Sequence, residues 1–407
     1  LTHFDVLIVG SGHGGVQTAA ALRHLDFHGS IGIVTAESDL PYERPPLSKD
    51  YLAGEKPFES ILFHQPHFWA EKKIELVRGH DIIAINAMDR IAVSASQEFG
   101  YSKLVWAAGG QPRRLSCGGS HLEGLHTIRT RADVDRLRGE LQAANRVVVI
   151  GGGYIGLEAA AVLVSAGKQV TVIEALDRPL SRVAAGPISD FFVREHEARG
   201  VDFLMNATVT CIEGSSGRVA RVLLGDGSTV DADIVIVGIG IQPSVEPLIE
   251  AGAESSNGVL VDECCRTNLP DVFAVGDCAL HHNPFGPNYP VRVESVQNAT
   301  DQAMTAAKSI IGQAEPYHAT PWFWSHQFDV KLQTVGLNAG YDDFLVRGDA
   351  SSDRFSVLYF RNERLVALDC VNLVRDYVQG RKLVEQKARF DRVALQDDSV
   401  PLKSLVA

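Results

Sequence analysis

The feature that most constrains this chain is a supersecondary unit that it carries twice. Phe4–Val9 is a short apolar run, followed by Gly10-Ser-Gly12-His-Gly14-Gly15 and a stretch of helical character, Val16–Leu25. Arg146–Ile150 is a second such run, followed by Gly151-Gly-Gly153-Tyr-Ile155-Gly156 and the helical stretch Leu157–Ala166. Each helix leads to another buried strand, Ile31–Thr35 in the first copy and Gln169–Ile173 in the second, and both strands end beside an acid, Glu37 and Glu174. A lone glycine-rich turn says little. Two in strand–loop–helix–strand context, each with its acid, point to two dinucleotide sites. Glycine permits the tight turn and lets backbone N–H groups come close to a pyrophosphate. The helix N-terminus favours that negative charge, and the acid accepts hydrogen bonds from a ribose diol.

A third signature, Thr267-Asn-Leu-Pro-Asp-Val-Phe-Ala-Val-Gly-Asp277, places Gly276 and Asp277 at the carboxyl end of an apolar strand, Val272–Val275. Ligands of open α/β sheets sit at that end. With the helical stretch Ser295–Ile311 behind it, this turn is expected to anchor the same extended cofactor as the first loop. The six cysteines are scattered without a C-x-x-C, so neither a disulfide framework nor a metal site is expected, and free thiols in a reducing cytoplasm are. No apolar run approaches the ~18 residues of a membrane span. Leu1–Gly10 runs straight into strand and loop without the pattern of a signal peptide. A formal net charge of −12 argues against nucleic-acid binding by bulk electrostatics. Residues 321–407 hold 12 Lys and Arg against 12 Asp and Glu, so the excess acid lies wholly in residues 1–320.

The sequence resembles the flavoprotein branch of the pyridine-nucleotide oxidoreductases, and within it the NADH-dependent ferredoxin reductases that serve cytochrome P450 and ring-hydroxylating oxygenases. The residues that carry the resemblance are Pro41-Tyr-Glu-Arg-Pro-Pro-Leu-Ser-Lys49, Gly151-Gly-Gly-Tyr-Ile-Gly-Leu-Glu158, Val237-Gly-Ile-Gly-Ile-Gln-Pro243, Arg292-Val-Glu-Ser-Val296 and Trp322-Phe-Trp-Ser. It implies a glutathione-reductase-like α/β fold with two doubly wound domains and a C-terminal α+β domain. Residues 1–110 and 237–321 would bind FAD, 111–236 NAD, and 322–407 would cover the flavin. It implies FAD contacts at Gly10, Gly12, Gly14, Gly15, Glu37, Lys49, Ile82 through its backbone, Arg129, Asp277 and Val296, with Arg44 nearby. NADH contacts are implied at Gly151, Gly153, Ile155 and Gly156, with Glu158, Glu174 and the turn from Gly238 to Gly240. Two departures stand out: Ala107-Ala108-Gly109 replaces the family's Ala-Thr-Gly, and Trp324-Ser-His326-Gln replaces Trp-Ser-Asp-Gln.

Disulfide-reducing relatives carry a Cys-x4-Cys pair after the first FAD segment, and the related NADH oxidases and peroxidases a single cysteine. The corresponding stretch here, Pro41–Lys49, has none. Reduced flavin is therefore expected to pass electrons straight to an outside acceptor. A [2Fe–2S] ferredoxin, which accepts one electron at a time, is the expected partner, feeding a P450 or an oxygenase. Lys49 and Glu158 are expected to pair at the flavin–nicotinamide junction as the catalytic residues, with Trp324 flanking the flavin or simply filling the core. Glu174 favours NADH over NADPH, although Arg178 and Arg182 lie nearby. A basic stretch, residues 375–392, is a candidate docking face. The alternatives are a rubredoxin reductase of the same fold, a peroxide-forming oxidase and, from a different class, a signalling or structural flavoprotein resembling apoptosis-inducing factor.

Overall fold

The computed structural model describes residues 1–406, which fall into two compact units. The first gathers residues 1–43, 59–111 and 242–323; the second gathers 44–58, 112–241 and the chain from 324 onward.

The first unit is built on a parallel sheet in the order Ile74–Arg78, Ile31–Thr35, Thr2–Val9, Glu98–Trp106, with Val272–Ala274 also paired to Glu98–Trp106. The antiparallel strands Ile91–Ser94 and Ile82–Asn86 extend it. All five residues of Ile31–Thr35 are buried, the apolar composition of a strand covered on both faces. Along Thr2–Val9 the period of two sorts side chains between layers: Val6 and Ile8 join a core with Val16, Leu22 and Val275, whereas Leu7 and Val9 join one with Trp106 and Leu248. Helices His13–His24 and Val296–Ile310 pack together on the first of these faces.

The second unit repeats the plan. Its parallel sheet runs Val201–Leu204, Gln169–Ile173, Arg146–Ile150, Ile234–Val237, Leu125–His126. Helix Tyr154–Ser165 follows the glycine loop, and an antiparallel ribbon, Val209–Ser215, Arg218–Leu224 and Thr229–Asp231, is inserted in the chain between strands Val201–Leu204 and Ile234–Val237. The C-terminal sheet is antiparallel, in the order Trp322–Gln327, Val330–Gly336, Arg364–Val371, Phe355–Arg361, Asp343–Gly348, with helix Val374–Glu385 packed on it. Leu157, Ile188 and Phe191 share one core with Val330, Phe355, Val357 and Tyr359, which draws the C-terminal sheet into the same unit as the second glycine loop. The stretch 44–58 joins this unit too. Tyr51 donates its hydroxyl to Asp135 at 2.6 Å, and the guanidinium of Arg131 lies 3.9 Å above the ring of Phe58.

Candidate functional site

The two glycine loops have nearly the same local geometry. Gly10 (φ +106°) and Gly151 (φ +105°) both adopt a backbone closed to other residues, and a Cβ there would strike the carbonyl of Ala107 at 2.4 Å or of Gly238 at 2.5 Å. Gly12 and Gly153 are the N-caps of the following helices, at φ −78°, ψ −170° and φ −79°, ψ 178°. Neither has a side chain to offer the first-turn N–H groups. No heavy atom approaches within 4 Å of a Cβ built on Gly12, and only the Gly238 carbonyl, at 4.0 Å, lies near one on Gly153. Each loop therefore presents an open cradle of backbone donors at a helix N-terminus, which fits a dinucleotide pyrophosphate. Gly14, Gly15 and Gly156 are buried in the first helical turns, while Ile155 is exposed.

The acids are positioned differently. Glu37 accepts from the Tyr42 hydroxyl at 2.5 Å. Glu174 accepts from the backbone N–H of Gly152 at 2.7 Å and of Leu176 at 2.9 Å, so its carboxylate is tied to the loop itself and keeps lone pairs for a diol. Arg178 is held elsewhere: its guanidinium donates to the Ser189 hydroxyl at 2.6 Å and the Ala184 carbonyl at 2.8 Å.

In the first unit, Asp277 sits in a short 3-10 turn, Gly276–Cys278, directly after strand Val272–Ala274. Gln302, from helix Val296–Ile310, accepts from the Gly276 N–H at 2.7 Å, and Arg292 donates to the Asp277 carbonyl at 3.0 Å. Gln302 and Asn298 continue into a buried amide–imidazole network with His281, whose ring burial holds down to a pKa of about 4. Nothing in the linear sequence marked this buttress. Val296 opens its helix, and Ile82 is buried at the start of strand Ile82–Asn86. Gly109 keeps a left-handed backbone in the Ala107-Ala108-Gly109 turn.

Lys49, Glu158, Arg44 and Arg129 all belong to the second unit. Arg44 donates to the Arg129 carbonyl at 2.7 Å. The Lys49 ammonium meets the Glu158 carboxylate at 2.6 Å, with the acid only 4% exposed and the lysine 17%. A carboxylate so buried needs more than one donor. It has them: Ser48 donates to Oε2 at 2.6 Å, the atom that Lys49 also contacts, and Ser325 donates to Oε1 at 2.7 Å. Both serines stood inside sequence motifs already singled out; what concealed their part was distance along the chain, 110 residues for Ser48 and 167 for Ser325.

The alternation of strand Trp322–Gln327 explains its motif. Ser325 and Gln327 are buried on one face, while Trp324 is half-buried and His326 exposed on the other. The replacement of the family's aspartate by His326 thus falls on the face opposite the serine that serves Glu158. Partial burial, then Lys331 and Lys49, lower the His326 pKa, so the imidazole is held toward its neutral form.

In the basic stretch, helix Val374–Glu385 exposes Arg375, Arg381 and Lys382 beside the exposed Val374 and Val378. Arg381 lies 3.8 Å from Glu385, and Arg392 3.3 Å from Asp343. All six cysteines are free thiols, and burial pushes those of Cys264, Cys265, Cys278 and Cys370 upward, that of Cys278 to about 12. Among the described residues no group of three or more His, Cys, Asp or Glu side chains is placed to hold a metal, and no helix is long and apolar enough to cross a membrane.

Comparison with known proteins meets this geometry over its whole length. Residues 4–303 match the family described as pyridine nucleotide-disulphide oxidoreductase, and residues 322–406 match the reductase C-terminal domain. A ferredoxin–NAD(P)+ reductase of Sphingomonas sp. is 54% identical over 100% of this chain and 98% of its own length. The ferredoxin reductase subunit of a 5,5'-dehydrodivanillate O-demethylase from Sphingobium sp. strain SYK-6 is also 54% identical, over 100% of this chain and 99% of its own. Among solved structures, the reductase of a covalent putidaredoxin reductase–putidaredoxin complex superposes with a TM-score of 0.95 at 38% identity, covering 99% of this chain and 98% of that one. Two pyrophosphate cradles on two parallel sheets, matched along the entire chain, leave one assignment: the chain belongs to the pyridine nucleotide-disulphide oxidoreductase family, in its ferredoxin reductase branch.

Proposed function

We propose that this protein oxidises NADH and delivers the electrons singly to a [2Fe–2S] ferredoxin, which feeds a cytochrome P450 or a ring-hydroxylating oxygenase in the cytoplasm. Bound FAD supplies the conversion of one hydride into two separate electrons. In the first unit, Gly10, Gly12, Gly14 and Gly15 take its pyrophosphate, Glu37 its ribose, and Ile82, Asp277 and Val296 the rest of their share. In the second, Gly151, Gly153, Ile155 and Gly156 take the NADH pyrophosphate and Glu174 the adenosine ribose. Further roles toward FAD for Arg44, Lys49 and Arg129 rest on the resemblance in sequence. Hydride transfer requires no general acid, so the protein's work is to orient and to hold charge. By the same resemblance Lys49, ion-paired with Glu158, stabilises the negative charge of the reduced cofactor. Trp324 borders the path by which electrons leave.

The observation that carries this reading is that two dinucleotide cradles accompany a lysine–glutamate–serine cluster in which no thiol takes part. Within that cluster electrons meet no sulfur relay. The deciding experiment is NADH-driven reduction of a panel of purified carriers by the FAD-loaded enzyme: several [2Fe–2S] ferredoxins, a rubredoxin, and dioxygen alone. A ferredoxin should turn over fastest, and prior alkylation of the enzyme's thiols should leave that rate intact. Loss of ferredoxin reduction on alkylation, or faster turnover with dioxygen alone, would end the proposal.

A further inference from the structure

Glu158 is served by a donor that itself has a donor. Ser325 is fully buried and its hydroxyl carries a single hydrogen. The Nε2 of Gln327, two residues along the same strand face and also buried, donates to the Ser325 oxygen at 3.2 Å. With one lone pair so engaged, the hydroxyl hydrogen is directed to Glu158 Oε1 at 2.7 Å. The Oε1 of the same amide is buried with no hydrogen-bond partner. A buried amide left half-satisfied costs free energy.

We propose that Gln327 and Ser325 form a positioning relay, Gln327 Nε2–H to Ser325 Oγ–H to Glu158 Oε1, that fixes the carboxylate and through it the Lys49 ammonium for hydride transfer. The inference rests on the role proposed above for Lys49 and Glu158. It gives the Trp-Ser-His-Gln segment a physical meaning. Positions 325 and 327 share a face, one to donate and one to orient the donor, while position 326 lies on the other face, where the imidazole still feels the charge of Lys49. Electrostatically, the serine dipole draws negative charge on the carboxylate toward Oε1. Without it, that charge concentrates on Oε2 against Lys49 and cancels more of the ammonium's field.

The test uses the FAD-loaded enzyme and two readouts, the limiting rate of flavin reduction by NADH in stopped flow and the FAD midpoint potential. Ser325→Ala should lower the limiting rate about ten-fold, the loss expected for one hydrogen bond to a charged group. The NADH concentration for half-saturation should stay within about two-fold, because uniform binding is untouched. The potential should become more negative. Ser325→Thr, which keeps the hydroxyl, should restore both readouts. In a Glu158→Gln background the same alanine substitution should change the rate by less than about two-fold, since its target is gone. Gln327→Met, close in volume, should lower the rate by a smaller factor, and carries the test if Ser325→Ala does not retain FAD. A Ser325→Ala enzyme with unchanged rate and potential, or an equal loss in the Glu158→Gln background, overturns the relay. If Glu158→Gln alone changes neither readout, the failure lies in the role given to Lys49 and Glu158.

Discussion

Gly12→Ala and Gly153→Ala separate the two cofactors with almost no other disturbance. Both glycines have negative φ in extended backbone, which alanine adopts freely, and neither Cβ would meet a protein atom closer than 4.0 Å. Each variant should therefore fold, with a melting temperature of the apoprotein unchanged or slightly raised, because alanine lowers unfolded-state entropy by about 0.4–1 kcal/mol. The added methyl group occupies the space through which a pyrophosphate must approach the helix N-terminus. Holding the phosphates off by even about 1 Å weakens two charge-assisted N–H contacts at about 1.5–3 kcal/mol each. Taking the lower value for both gives about 3 kcal/mol, or a Kd raised roughly 100-fold. For Gly12→Ala this loss should fall on FAD, read as the flavin absorbance of the purified protein and its titration with FAD. For Gly153→Ala, flavin content should remain normal while the NADH concentration needed to bleach it rises by about that factor. Wild-type affinity for both cofactors in either variant, or loss of FAD from Gly153→Ala alone, would refute the assignment of the loops.

Discrimination against NADPH should amount to at least about 100-fold in kcat/KM, because Glu174 repels a 2′-phosphate while Arg178 is tied to Ser189 and Ala184; comparable efficiency with the two cofactors would refute it. Reversing Arg381 and Lys382 to Glu should raise the ferredoxin KM about ten-fold at low ionic strength and progressively less in salt, and a salt-independent change would point away from docking. Asp369 is buried in the C-terminal sheet beside the Tyr359 hydroxyl at 2.5 Å, and burial raises its pKa from 3.8 to about 7. Between those values the folded chain keeps a proton that the unfolded chain has released. Stability should therefore fall as pH rises through that window, by up to about 4 kcal/mol. Denaturant titrations at pH 5 and pH 8 should reveal this slope, and Asp369→Asn should flatten it.

The sequence by itself determined the parts of this protein that act through backbone. The strand, glycine loop, helix and acid of each half are contiguous in the chain, so their geometry is local, and Gly10 and Gly151 could be placed before any fold was known because only glycine tolerates their turns. The turn at Asp277 was legible for the same reason, as was the absence of cysteine from the stretch before Lys49. What acts through side chains across the chain was not. The Lys49–Glu158 pair was reached only through a resemblance, and Ser48 and Ser325 gave no sign of their target, because hydrogen bonds over more than 100 residues leave no periodic trace. The grouping of residues 44–58 with the second glycine loop came likewise from Tyr51 meeting Asp135 and Arg131 covering Phe58. Local backbone constraint writes itself into residue type and spacing. The placing of a buried carboxylate among its donors is decided only when the core closes and water is gone.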